Sequence, residues 1–187
     1  MTRAAKQSRF RKKGSGIFDM TRMTKKQALR QGGVSTSPDQ TQAFGREIGR
    51  LAKAPLVIAL SGPLGAGKTT LVKGIAQGMG IPAEDVQSPS FVLIREYAGP
   101  RQWLYHADCY RLAGANVMVS LGLEEYINPR GILVIEWPRR GMRQLTEEYL
   151  EIRLSVAGRS TRKITLRAWG SRATALTAGL AGQHHLG

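Results

Sequence analysis

Residues 62–69, Gly-Pro-Leu-Gly-Ala-Gly-Lys-Thr, fit the pattern G-x-x-x-x-G-K-[ST] without a mismatch. That spacing suits one chemistry, the cradling of a nucleotide's phosphates. Gly62, Gly65 and Gly67 let the backbone curl until successive N–H groups face a single anion, with Leu64, Ala66 and Thr70 supplying further positions of the same cradle. Lys68 reaches the outer phosphates, and the Thr69 hydroxyl is placed to ligate Mg²⁺. The helix that follows adds the positive end of its dipole. The rival reading is a glycine-rich turn beside an unrelated lysine. It does not account for the order strand, loop, helix around the motif.

A phosphate loop binds; hydrolysis also needs a metal and an ordered water. Glu136 is the first acid candidate, because it directly follows the apolar run Ile132-Leu133-Val134-Ile135 and a strand end projects it toward the loop. A carboxylate there can also simply cap a neighbouring helix. Asp108 is the second. In an extended 103–110 segment, His106, Asp108 and Tyr110 share one face, and Tyr105, Ala107 and Cys109 the other. Asp108 could order the attacking water or hold Mg²⁺ in its outer shell, or be a hydrogen-bonded acid ending a strand. His106 alone reads first as a structural hydrogen-bonding residue, and Cys109 as a buried thiol. Ser88-Pro89-Ser90 is a turn where a switch-like loop could meet the terminal phosphate. Trp137 fits a nucleotide-side position, a partner surface or a core position.

The elements that must hold these residues follow from local pattern. Ser37 reads as the N-cap and Pro38 as the first position of a helix running to about Lys53, with Ala43, Phe44, Ile48 and Leu51 on its apolar side. Leu56–Leu60 is a buried parallel strand ending at the loop. Gly80-Ile81-Pro82 stops the loop helix. Residues 91–97 and 103–108 form a hairpin across Gly99-Pro100, 116–126 has helical spacing, and 132–135 is a second buried strand. Residues 149–156 and 163–169 pair antiparallel across Gly158-Arg159. The result is a three-layer α/β domain whose mixed sheet has a parallel centre and antiparallel edge strands, with the nucleotide site at the strands' carboxyl ends.

The chain has 187 residues and a net charge of +15, unevenly spread. Residues 1–34 hold ten Lys/Arg against one acid, Asp19, with few large apolar residues. They read as a disordered basic leader, residues 35–170 as the ATPase domain and 171–187 as a small-residue tail. The leader suits an arm that attracts RNA or an acidic partner. It reads first as a solvated tail, or as sequence upstream of a true start at Met20 or Met23, and its composition also resembles a transit peptide. No run of 18 apolar residues suggests a membrane span. One cysteine and no zinc-spaced cluster fit a reducing, cytoplasmic setting.

Together the loop 62–70, Ser88-Pro89-Ser90-Phe91, His106-Ala107-Asp108-Cys109-Tyr110-Arg111-Leu112, Leu121-Gly122-Leu123-Glu124-Glu125-Tyr126 and Glu136-Trp137-Pro138 closely resemble the TsaE family. The resemblance covers about Ser37 to Trp169. It implies a P-loop NTPase-like ATPase required for threonylcarbamoyl-adenosine in tRNA, working with the TsaD–TsaB heterodimer and meeting tRNA through that complex. By resemblance ATP binding supports assembly and hydrolysis resets the complex. Lys68 and the loop amides take the phosphates, Thr69 and Glu136 handle Mg²⁺, and Asp108 is the essential acid near the γ-phosphate. Ser88–Ser90 form the switch-like segment, and Ser37, Thr41 and Arg159 lie beside the nucleotide. Three departures stand out: Pro63 replaces a common acid, Ser90 stands for Thr, and Cys109 for an apolar residue. The leader lies outside the resemblance.

Two other classes share some of these features. A small-molecule or nucleoside kinase uses the same loop, and Arg139, Arg140 and Arg143 could serve as lid arginines. The charge suits an RNA-binding adaptor, although no aromatic-and-basic RNA motif accompanies it.

Overall fold

A computed structural model describes residues 30–112, 121–138 and 142–182. Its frame is a seven-stranded sheet of β1 (Arg30–Ser35), β2 (Leu56–Ser61), β3 (Ile94–Ala98), β4 (Trp103–Asp108), β5 (Gly131–Glu136), β6 (Tyr149–Val156) and β7 (Arg162–Trp169) in the order β1-β7-β6-β2-β5-β4-β3. The centre β6-β2-β5-β4 is parallel. β3 closes one edge antiparallel to β4, and β7 and β1 close the other as successive antiparallel pairs.

β2 and β5 are almost entirely apolar and buried, as strands covered on both faces must be. One face carries α1 (Pro38–Leu51), α2 (Lys68–Gly78) and a further helix (Gly170–Gly182), packed on Ile58, Leu60, Val134, Ile152 and Leu166. Among the described residues the opposite layer is thin. A single 3-10 turn (Leu123–Tyr126) and a one-turn α3 (Met142–Leu145) cover Ala59, Leu133, Ile135 and Tyr105. That helix Gly170–Gly182 is α4 here.

Ser37 caps α1 by accepting Gln40 N–H at 3.2 Å, and Pro38 opens the helix. α1 and α2 then meet backbone to backbone. A β-carbon added at Gly49 would lie 2.0 Å from the Ile75 carbonyl oxygen, and one at Gly74 2.0 Å from that of Gln42. Only hydrogen fits at those crossings, so the pair of helices seats the phosphate loop at a fixed height above the sheet.

Three expectations change. Residues 171–187 read as a tail, yet 170–182 form α4, whose Ala173, Leu176 and Leu180 are buried and whose first turn is capped by Glu148. The boundary at residue 34 cuts through β1, which extends to Arg30 because its backbone pairs with β7. Residues 91–93 of the apolar run are not strand, which starts only at Ile94: Val92 and Leu93 N–H both bond the Pro89 carbonyl, Leu93 has φ 69°, and Phe91 and Val92 are exposed. Of the helical spacing read over 116–126, residues 116–120 lie outside the described residues, and 123–126 is 3-10.

Candidate functional site

The loop between β2 and α2 takes its shape from two glycines. Gly62 has φ 148° and lies against the Leu154 carbonyl, and Gly67, with φ 94°, caps α2. Both angles are unfavourable for residues with a β-carbon. The turn closes through Ala66 N–H to the Pro63 carbonyl at 3.1 Å. Beside it opens a cleft of about 360 Å³ lined by Leu64, Gly65, Gly67, Lys68, Thr69, Thr70, Ser88, Ser90, Asp108, Tyr110, Glu136 and Trp137.

Lys68 is 5% exposed, and its ammonium donates to the Gly62 and Pro63 carbonyls at 3.0 and 3.1 Å. The same nitrogen sits 3.7 Å from the Trp137 ring centre, a cation–π contact. Burial pulls its pKa below the usual lysine range, and the carboxylates of Glu136 and Asp108 oppose that pull. Trp137 holds its place with φ 57° and an N–H bond to the Leu60 carbonyl, and Tyr110 packs on its other side at 4.9 Å.

The two acids stand on neighbouring strand ends, Asp108 being the register partner of Glu136. Glu136 Oε1 accepts from the Thr69 hydroxyl at 2.9 Å and meets His106 Nε2 at 3.0 Å. A carboxylate only accepts, so Nε2 carries a proton, and the buried Nδ1 of His106 has no partner among the described residues. Asp108 Oδ2 accepts from Ser88 and Ser90 at 3.0 and 2.8 Å, and its Oδ1 accepts from Tyr110 N–H at 2.8 Å. The turn that displaced the expected strand at 91–93 is therefore what aims both serine hydroxyls at this acid.

Of the outlying residues, Thr41 is buried, bonded to Ser35 Oγ at 2.7 Å, and its methyl would lie 3.9 Å from a β-carbon at Gly67. Ser37 serves α1 as its cap and does not line the cleft. Arg159 does not line it either. Arg162, three residues later and missed in the sequence, donates Nε to the Ala66 carbonyl at 3.1 Å and its terminal nitrogen to the Gly65 carbonyl at 3.2 Å. Its remaining nitrogen binds the Gly158 and Thr161 carbonyls. In a planar trans peptide the N–H points opposite to the C=O. Arg162, by holding these two carbonyls outward, turns the Ala66 and Gly67 amides toward the loop's interior.

Cys109 is buried on the far face, as read. Arg139 and Arg140 lie outside the described residues. Arg143 stacks 4.5 Å over Trp169, whose register partner Tyr149 begins β6 at the sheet end opposite the loop. It is no lid residue.

No group of three His, Cys, Asp or Glu suited to a metal occurs among the described residues. The Thr69 hydroxyl and Glu136 carboxylate are hard oxygen donors side by side at the cleft, which suits Mg²⁺ shared with phosphate oxygens rather than caged by protein alone. No described helix is long and apolar enough to cross a membrane.

A family profile described as "Threonylcarbamoyl adenosine biosynthesis protein TsaE" matches residues 35–164. The chain is 40% identical over 138 residues to the tRNA threonylcarbamoyladenosine biosynthesis protein TsaE of Bacillus subtilis, covering 74% of this chain and 85% of that one. It is 41% identical over 133 residues to the protein of the same description in Treponema pallidum, covering 71% and 97%. The crystal structure of Bacillus subtilis YdiB superposes with a TM-score of 0.69 at 34% identity, over 83% of this chain and 97% of that one.

Proposed function

The chain belongs to the TsaE family of threonylcarbamoyl adenosine biosynthesis proteins, and from that premise we propose that it binds and hydrolyses ATP with Mg²⁺ during formation of threonylcarbamoyladenosine in tRNA, in the cytoplasm and alongside a TsaD–TsaB-type heterodimer. ATP binding supports the assembly and hydrolysis resets it between turnovers. One observation carries the reading: the hydroxyl that closes the phosphate loop, Thr69, is bonded to the acid that ends the adjacent parallel strand, Glu136. That pairing, at the mouth of a phosphate-type loop, suits a place where phosphate and cation meet.

In this reading the loop amides and Lys68 take the phosphates. Lys68 exchanges its two carbonyl partners for phosphate oxygens, and the negative charge offsets the burial that lowers its pKa. Mg²⁺, when bound, neutralises charge on the outer phosphate oxygens. Thr69 and Glu136 hold it, with His106 fixing the Glu136 carboxylate. Asp108, held by Ser88 and Ser90, faces the cleft where the terminal phosphate and its attacking water would lie.

The test is calorimetric titration of the full chain with ATP and Mg²⁺, alone and with TsaD and TsaB homologues. Heat of binding is expected for the native chain. Loss of a charge-assisted contact worth about 1.5–3 kcal/mol predicts roughly 10- to 150-fold weaker binding in Lys68→Ala. No heat for the native chain in either setting overturns the proposal.

A further inference from the structure

No element among the described residues covers one part of the sheet's opposite face. On β6 and β7 the residues pointing away from α1, α2 and α4, beyond the stacked pair Tyr149 and Trp169, are Glu151, Arg153 and Ser155, and Lys163, Thr165 and Arg167. They line an open trough of about 250 Å³. Arg153 pairs with Thr165, so Lys163 and Arg167 are its diagonal neighbours across the strands, about 7–8 Å away on either side. Three cations thus stand in a staggered row with hydroxyls between them. Among the described residues lining the trough, Glu151 alone opposes them, and it reaches Arg167 at 3.9 Å.

We propose that this bare face of β6 and β7 binds the phosphate backbone of RNA. The proposal rests on the reading above, in which the chain serves a tRNA-modifying reaction. Successive same-face residues of a strand are about 7 Å apart, which matches the step between phosphates along an extended nucleic-acid strand. Arg, Lys, Ser and Thr are the side chains that make sequence-independent backbone contacts. The charge context agrees: the ten Lys/Arg of residues 1–34 against one acid join the fold at β1, the strand beside β7. The face also touches the nucleotide end of the sheet, since Arg153 pairs with Ser61, the residue preceding the loop.

The experiment is fluorescence anisotropy of the full chain with an in vitro transcribed, unmodified tRNA across a salt series, beside a nucleotide titration of the same preparation. Binding is expected, weakening with salt. Arg153→Glu with Lys163→Glu should lower affinity at least tenfold and reduce the salt slope by about two, with nucleotide binding retained. Arg153→Gln with Lys163→Gln serves if the reversal does not fold, and should lower affinity less. Absence of tRNA binding by a chain that binds nucleotide overturns this proposal alone, whereas absence of nucleotide binding strikes the functional reading. Equal tRNA affinity in the reversed or neutral variant, or capture of polyglutamate in place of tRNA, also overturns it.

Discussion

Glu136 Oε1 serves two partners at once, Thr69 on the loop helix and His106 on the neighbouring strand. Asp108 instead gathers the switch-like serines. Neither acid touches the loop amides, so their removal is expected to spare the phosphate cradle. Asp108→Ala and Glu136→Ala should each lower ATP turnover on the order of 10²-fold while nucleotide affinity changes far less, as followed by phosphate release and calorimetry. Unchanged turnover in both variants would remove them from the chemistry. Arg162 is a different kind of residue, since it bonds loop carbonyls and does not line the cleft. Arg162→Ala should weaken nucleotide binding about tenfold, close to 1.4 kcal/mol. Arg162→Lys should recover little of it, because an ammonium cannot span four carbonyls in the way a planar fork does. Titration of the two variants side by side checks this.

At the scale of elements, the decisive contact is the crossing of α1 and α2. Glycine usually weakens a helix, yet Gly45 and Gly49 on α1 and Gly74 and Gly78 on α2 all face the partner helix's backbone. Gly49→Ala would gain helix propensity and still lose stability, because its methyl needs the space of the Ile75 carbonyl. The expected cost is about 1–3 kcal/mol by urea denaturation. Nucleotide affinity should fall with it, since α2 carries Lys68 and Thr69 in its first turn. A stabilised Gly49→Ala variant would show that the helices are not held at this distance.

Over the whole molecule, α4 ties the end of the described chain back to the core, and Glu148 is its anchor. The carboxylate accepts from the Ser171 N–H and hydroxyl at 2.9 and 2.8 Å and from Arg172 N–H at 3.2 Å. The Ser171 backbone bond is the main reason its pKa lies below the ordinary 4.5, with burial opposing. A depressed folded pKa stabilises the fold fully above the unfolded value and loses that contribution as pH falls through the folded one. Unfolding free energy should therefore fall below about pH 4.5, and Glu148→Gln should flatten that part of the curve. Equal acid slopes for the two proteins in a pH series of denaturation midpoints would contradict this.

What could be read without the fold was whatever a few adjacent residues decide. The glycine spacing of 62–67 sets the loop, four apolar residues before Glu136 set its strand, and Ser37-Pro38 starts α1. Alternation over 103–109 separated His106 and Asp108 from Cys109 correctly. The family followed because such local signs occur in one order. Tertiary structure alone decided the rest. Arg162 meets the loop across 96 residues of sequence, so no local pattern distinguishes it from Arg159. β1 exists because β7 offers an unpaired edge, and α4 because the sheet offers an apolar face to a segment of small residues. Phe91 and Val92 carry every local mark of a strand, but two N–H bonds to Pro89 turn the backbone away and point Ser88 and Ser90 at Asp108. Short-range sterics and periodicity are written in neighbouring residues, whereas hydrogen-bond partners across the fold are fixed only when distant segments close on one another.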